Sequence, residues 1–161
     1  METFYKSIFE CDEDIIVHQV NCQGAFGSGV AGQVANLYPH VKKEYITYVN
    51  DAKKEYNFDT SKLLGNVLIV EISPKGKYIA NVFGQEFYGY GGEVYTDRKA
   101  LIEGIKDVKE FAKENGLSIA IPSKIGCALG GENWNVISKK IKNIFKDGEV
   151  KANFYSYTPK R

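Results

Sequence analysis

Apolar positions along this chain fall into short dense runs and longer periodic stretches, and the two kinds alternate. Residues 15–21 form a dense apolar run of the kind a buried strand shows, whereas residues 3–9 alternate weakly and predict an edge strand. Val30, Ala31, Val34, Ala35 and Tyr38 recur at helical spacing until Pro39 interrupts them, and Val41, Tyr45, Tyr48 and Val49 predict a second helix. Apolar runs at 67–72 and 78–83 flank a turn containing Pro74 and Gly76, which predicts an antiparallel hairpin. With Thr96 as N-cap, Ala100, Leu101, Ile105, Val108, Phe111 and Ala112 trace a long amphipathic helix that Asn115 and Gly116 end. Residues 117–121 predict a short buried strand. Val136, Ile137, Ile141, Ile144 and Phe145 predict a last helix, and 150–157 a last strand.

This order predicts a three-layer α/β/α sandwich around a mixed sheet of roughly six strands. A length of 161 residues suits one domain, 1–161, with no internal repeat. Lysine plus arginine nearly balance aspartate plus glutamate, for a formal charge of +1, which argues against wrapping of nucleic acid or attraction to a membrane. Recognition must then be local. Cys11, Cys22 and Cys127 form neither a CxxC pair nor an even framework, and no apolar run is long enough to span a bilayer. A reduced cytoplasm and a monomer are the expectation.

Candidate chemistry gathers at two glycine-rich segments. In IIVHQVNCQGAFGSGVAGQV a strand runs into Asn21 and a glycine cluster that opens a helix, and in IPSKIGCALGGENW a second apolar strand does the same. Glycines let backbone N–H groups approach a ligand, and a helix start adds unpaired donors and a positive dipole end, so each segment suits a phosphate. Both follow strands and precede helices, which predicts one cleft at the carboxyl edge of the sheet. Gly27, Gly29 and Gly32 satisfy G-x-G-x-x-G, but the second parallel strand and acidic residue of a dinucleotide fold are missing where that pattern needs them. No Gly-Lys-Ser or Gly-Lys-Thr occurs, which excludes a P-loop.

Asn21 offers a donor and an acceptor that match paired ribose hydroxyls, with an Asx-type cap as the local alternative, and the same two readings hold for Gln23. His18 reads more readily as a buried histidine hydrogen-bonded to backbone than as a catalytic base. Cys22 and Cys127 read as small half-buried side chains rather than nucleophiles. His18 and His40 stand alone and the cysteines lack ligand spacing, so no metal and no cofactor are expected.

The segments VNCQGAFGSGVAGQV and IPSKIGCALGGENW resemble the two ligand loops of macro domains, and the likeness to small phage-type and bacterial members, grouped with ADP-ribose-1″-phosphate phosphatase-like proteins and the terminal ADP-ribose glycohydrolase branch, runs across nearly the whole chain. The resemblance implies the same α/β/α sandwich and a ligand, ADP-ribose or ADP-ribose-1″-phosphate, free or carried on an ADP-ribosylated macromolecule. Carried over by position, Asn21 contacts the distal ribose, and Gly27, Ser28, Gly29 and Val30 bring backbone donors to one phosphate. Ile125, Gly126, Cys127, Ala128, Leu129 and Gly130 close over the other, and Gly24 and Ser123 are further ligand-binding candidates. Phe154 or Tyr155 matches the family's aromatic beside the adenosine, with ordinary core packing as the alternative.

Departures from the family pattern accompany the likeness. The usual Gly-Asp-Ile aligns with Lys6, Ser7 and Ile8, so Ser7 stands where the adenine-reading Asp is expected, with Asp12 and Asp14 nearby. Gly130 replaces the Asp of the glycohydrolase branch, and the catalytic Lys of that branch falls near Gly84 or Gln85. Glu132 is then the candidate general base if loop closure raises its pKa, with Asn21 orienting the ribose for a water, and a solvated loop carboxylate is the alternative reading of Glu132. Hydrolysis of an ADP-ribose derivative is the leading reading and a non-catalytic ADP-ribose-binding module the alternative. Tyr88 and Tyr90, on a glycine-rich tether, are read as a lid or as packing on the next helix, and recognition of single-stranded nucleic acid through exposed tyrosines is disfavoured by the balanced charge.

Overall fold

The computed structural model describes residues 1–27 and 29–157. Its strands are β1 (Thr3–Phe4), β2 (Ile15–Asn21), β3 (Val67–Ser73), β4 (Lys77–Gln85), β5 (Ile119–Pro122) and β6 (Ala152–Tyr155). Its α-helices are α1 (Gly29–Leu37), α2 (Pro39–Glu55), α3 (Arg98–Asn115) and α4 (Trp134–Phe145). The strands form one sheet in the order β1-β6-β5-β2-β4-β3. Only the β3–β4 hairpin is antiparallel; β1–β6, β6–β5, β5–β2 and β2–β4 are parallel, so the sheet is mixed.

Each face of the sheet buries one helix pair. Ile16 and Val20 of β2 meet Val34 of α1 and Val41, Tyr45 and Val49 of α2, while Ile15 and Val17 meet Leu101, Ile105 and Val108 of α3 and Ile137 and Ile141 of α4. Burying each such side chain contributes roughly 1.5–3 kcal/mol, which docks two otherwise marginal helix pairs onto the sheet. The alternation of β2 thus sends even positions to one layer and odd positions to the other.

Several sequence expectations shift by local hydrogen bonding. The edge strand expected over 3–9 pairs only at Thr3 and Phe4, because Ser7 accepts the Phe9 N–H at 3.3 Å and caps a short 3-10 turn at Ile8–Glu10. Pro39 ends the first periodic run and also occupies the first turn of α2, where its missing N–H costs nothing. Helix α3 is capped by Asp97, whose carboxylate accepts the Ala100 N–H at 3.0 Å, rather than by Thr96. The last strand is shorter than expected, at Ala152–Tyr155.

Two sheet features position a site. Central β2 pairs with β4 along its whole length but with β5 only at Ile15 and Ile16, so the two strands are no longer bonded toward their carboxyl ends. Chain connections also diverge there, the arrangement at which open α/β sheets bind ligands. At the opposite ends of β2 and β5 the strands are clipped. Asp14 N–H donates to Ser118 Oγ at 3.1 Å, and the Ser118 N–H and hydroxyl donate to Asp14 Oδ2 at 2.9 and 3.0 Å.

Candidate functional site

A cleft of about 820 Å³ occupies the carboxyl edge between β2 and β5. Gly24 to Gly27, Gly29 and Val30 line it from one side of the sheet, and Ser123 to Gly126 with Ala128 to Gly130 from the other. His18, Gln19, Asn21 and Gln85 lie at the strand ends beneath, and Tyr88 and Tyr90 stand at the mouth, 53% and 76% exposed. The two loops therefore share one cavity, and the contribution expected of Ser28 lies outside the described residues.

The first loop is shaped by side chains. The Asn21 carbonyl-type Oδ1 accepts the Gln23 N–H at 2.9 Å and the Ala25 N–H at 3.3 Å, and its Nδ2 donates to the Ala25 carbonyl at 2.8 Å. Buried Tyr45 locks this turn from α2, donating to the Asn21 carbonyl at 2.6 Å and accepting the Gly24 N–H at 3.1 Å. Asn21 is thus an Asx-type organiser of the loop that also lines the cleft. Gln23 points away, bonded to Thr60 and the Glu86 carbonyl.

Backbone packing shapes the second loop. Gly126 presents its carbonyl to the Thr96 hydroxyl at 2.8 Å and to the Glu132 N–H at 3.1 Å, while the Gly130 carbonyl accepts the N–H groups of Tyr95 and Thr96 at 2.8 and 3.1 Å. Gly130 lies so close to the Thr96 hydroxyl and the Gly126 carbonyl that any Cβ there would collide with both. Thr96 is consumed by this contact, which is why capping passes to Asp97. Among the described residues nothing accepts from the N–H groups of Gly126, Ala128, Leu129 and Gly130, which leaves a row of donors on the cleft wall.

Five expected site residues are placed elsewhere. Glu132 is absent from the cleft lining: it pairs with Arg98 Nη2 at 2.6 Å and accepts the Asn133 N–H at 2.9 Å. Those bonds, Arg98 first, hold its carboxyl below the usual range, the reverse of the raised pKa expected for a general base. Ser7 is the cap of the 3-10 turn and does not reach the cleft. Tyr155 is buried and its hydroxyl donates to Glu13, while Phe154 packs edge-on against Trp134 with ring centroids 5.2 Å apart. Both aromatics take the packing alternative, although Phe154 also borders a smaller groove of about 350 Å³ that shares Ser123 and Lys124 with the main cleft. Cys127 turns its thiol to the Ile125 carbonyl, outside the lining.

Electrostatics in the cleft come from neutral groups and two lysines. His18 is buried, its Nε2 bonded at 2.6 Å to Asn81 Oδ1. The Asn81 Nδ2 donates to the Leu68 carbonyl at 2.9 Å, so its oxygen must accept and His18 Nε2 carries the proton. Burial pushes the imidazole down to about 4, and Nδ1 is left as an acceptor without a donor. Burial also pushes the Cys22 thiol up to about 12 and the Cys127 thiol up to about 11, so neither is a thiolate at neutral pH. Lys42 of α2 and Lys124 line the cleft, the latter at φ 64. Among the described residues no group of three His, Cys, Asp or Glu side chains gathers as metal ligands, and no helix is long and apolar enough to cross a membrane.

Sequence reasoning passed over Gln19 and Lys42, and met Gln85 only as a position near the glycohydrolase branch's catalytic Lys. Gln19 and Gln85 sit inside strand runs, where a single polar residue carries no motif, and Lys42 is one of many lysines on a helix surface.

A three-layer sandwich with two amide-bearing loops meeting at the split between its central parallel strands is the macrodomain fold. The chain superposes on the macrodomain of Thermus aquaticus DarG with a TM-score of 0.76, at 21% identity over 98% of this chain and 97% of that one. It matches Thermosipho africanus DarTG, solved in complex with ADP-ribose, with a TM-score of 0.75 and 19% identity over 96% of this chain and 41% of that one. In sequence it is 29% identical over 127 residues to the ADP-ribose 1″-phosphate phosphatase of Lodderomyces elongisporus, covering 74% of each. It is 28% identical over 158 residues to the protein of the same name from Scheffersomyces stipitis, covering 88% of this chain and 87% of that one. The DNA ADP-ribosyl glycohydrolase of Mycobacterium tuberculosis is 23% identical, over 86% of this chain and 37% of that protein. No family model matches the sequence.

Proposed function

We propose that the cleft binds ADP-ribose, with the pyrophosphate between the two loops and the distal ribose toward Asn21 and Gln85, and that the protein hydrolyses an ADP-ribose derivative there. The observation that carries this reading is that the N–H groups of Gly126, Ala128, Leu129 and Gly130 have no acceptor among the described residues and belong to residues that line one cavity with the first turn of α1. Several oriented amides and a helix start hold a doubly charged pyrophosphate without a cluster of basic residues. That suits a chain of formal charge +1. The names of the yeast relatives, ADP-ribose 1″-phosphate phosphatases, support the same ligand and a hydrolytic step.

For that step the loop amides hold the pyrophosphate and so fix the distal ribose, while water attacks either the terminal phosphorus, with cleavage of its bond to the ribose oxygen and release of phosphate and ADP-ribose, or the anomeric carbon, with cleavage of its bond to the carried group, which leaves with the electron pair. With Glu132 tied to Arg98, His18 becomes the candidate base: it is neutral at pH 7, its Nδ1 has no donor, and it lines the cleft floor. Tyr88 and Tyr90, exposed at the cleft mouth, are available to a group carried on the anomeric carbon, and the name of the mycobacterial relative, a DNA ADP-ribosyl glycohydrolase, supports a carried group of some size.

A second reading, a binding module without catalysis, is favoured by one observation: among the described residues no carboxylate lines the cleft. The readings separate in two measurements. ADP-ribose at about 100 times its Kd raises stability by about 2.7 kcal/mol, read as a thermal shift, and AMP alone shifts it less. No shift with ADP-ribose rejects both. Phosphate release from ADP-ribose 1″-phosphate that exceeds the blank and is lost in His18→Asn supports the enzyme, and release equal to the blank supports the module.

A further inference from the structure

Gln19 lies on the odd face of β2, beneath the second loop, and its Nε2 donates to Gln85 Oε1 at 2.7 Å and to Thr96 Oγ1 at 2.9 Å. Each partner passes a bond onward. Gln85 Nε2 donates to the Phe87 carbonyl at 2.8 Å, at the start of the segment that carries Tyr88 and Tyr90, and the Thr96 hydroxyl donates to the Gly126 carbonyl at 2.8 Å. With its nitrogen on Phe87, Gln85 turns its oxygen to Gln19, and the Thr96 hydroxyl spends its one proton on Gly126, so both accept from Gln19 and its amide has one permitted orientation. Its Oε1 then finds no donor; with His18 Nδ1 it is one of two buried side-chain polar atoms left unbonded among the described residues. Both lie in residues that line the cleft.

The amide also packs on β4. A Cβ at Gly84 would collide with the Gln19 carboxamide, so β4 carries glycine where that group rests on its backbone. A bridge between Gln85 and Thr96 closes the arrangement from the other side. A single side chain therefore connects the floor strand, the second loop and the aromatic segment.

We infer that Gln19 is a positioning residue, whose carboxamide fixes the second loop and the Tyr88–Tyr90 segment at one separation and so sets how well the loop amides meet the ligand pyrophosphate. The ligand in this statement rests on the ADP-ribose reading; the mechanical tie does not. Leucine at position 19 keeps the volume and removes both donors. Glutamate keeps the shape but, when ionised, only accepts, and it regains one donor on protonation, which burial moves toward neutral pH.

Hydrogen exchange on ligand-free protein tests the tie directly. Gln19→Leu is expected to speed exchange about tenfold at Tyr95, Thr96 and Glu132, whose N–H groups bond to the second loop, and to leave Gln23, Gly24 and Ala25 at the parent rate. ADP-ribose affinity is expected to fall about tenfold in Gln19→Leu. In Gln19→Glu it is expected to fall similarly at about pH 8 and to recover by about pH 5.5, while the parent stays flat over that range. A residue that only fills space gives no such recovery. Parent exchange rates in Gln19→Leu, or a Gln19→Glu affinity that does not respond to pH, overturns the inference. Should the parent bind no ADP-ribose, the ligand reading fails, and the exchange rates alone still decide the role of Gln19.

Discussion

The two loops of the cleft reach the same rim by different physical means. The first, at residues 22–27, is held by an asparagine and a tyrosine whose polar atoms replace a missing backbone ladder. The second, at 123–133, is held by its own carbonyls, by one threonine hydroxyl, and by glycines packed too tightly for a side chain. Phe26 of the first loop belongs to the α1–α2 core and Ile125 of the second to the α3–α4 core. A site assembled from two independent cores can lose one wall and keep the other, which a change beneath each loop should reveal.

Beneath the first loop, His18 packs against Phe26, with ring centroids 5.4 Å apart. Its folded pKa of about 4 lies below the ordinary 6.5, so the unfolded chain takes up the proton first as pH falls. Stability from this group is complete above pH 6.5 and is lost on descending to about 4, a loss of about 3 kcal/mol. Urea midpoints of the parent and His18→Asn at pH 7 and pH 4.5 should show that slope in the parent and a flatter one in the variant. Tyr45→Phe comes next: it leaves the Asn21 carbonyl and the Gly24 N–H without their buried partner and should cost about 2 kcal/mol in chemical denaturation. Exchange should quicken at Gly24 and Ala25 and not at Thr96.

Thr96→Val is the matched change under the second loop. It removes one hydroxyl without changing volume, frees the Gly126 carbonyl and one Gln19 N–H, and should cost about 1 kcal/mol, with faster exchange at Glu132 and unchanged rates in the first loop. If Tyr45→Phe and Thr96→Val each loosen both loops, the walls are not independent and the comparison fails. The smallest effect is expected from Glu132→Gln, since its partner Arg98 is solvent-exposed: stability should change by under about 0.5 kcal/mol, and hydrolysis should stay within about twofold of the parent.

The layers and element order were readable because period and length agree with tertiary packing: the run at 15–21, the hairpin around Pro74 and Gly76, and the stripe from Ala100 to Ala112 are each locally unambiguous. The loops were readable through glycine. Element ends were not, because side-chain competition sets them: nothing in the sequence says that the Thr96 hydroxyl is committed to Gly126 and leaves capping to Asp97. The same limit applied to chemistry. Glu132 resembled a loop acid until Arg98, 34 positions earlier, proved to be its partner, and Phe154 and Tyr155 were equally good as core or ligand contacts. His18 was rightly read as buried, but its expected backbone partner is instead the Asn81 side chain facing it from β4, a pairing 63 positions away that leaves Nδ1 bare.

The clip between Asp14 and Ser118 joins positions 104 apart in the chain. Bringing such distant segments together is slow, because closure entropy must be met before any contact rewards it. During synthesis the first loop therefore emerges long before β5 exists to form the opposite wall. A nascent or truncated chain that ends before β5 carries half a cleft, and ligand bound across both walls stabilises only molecules in which that late strand has docked, so occupancy reports completed folding.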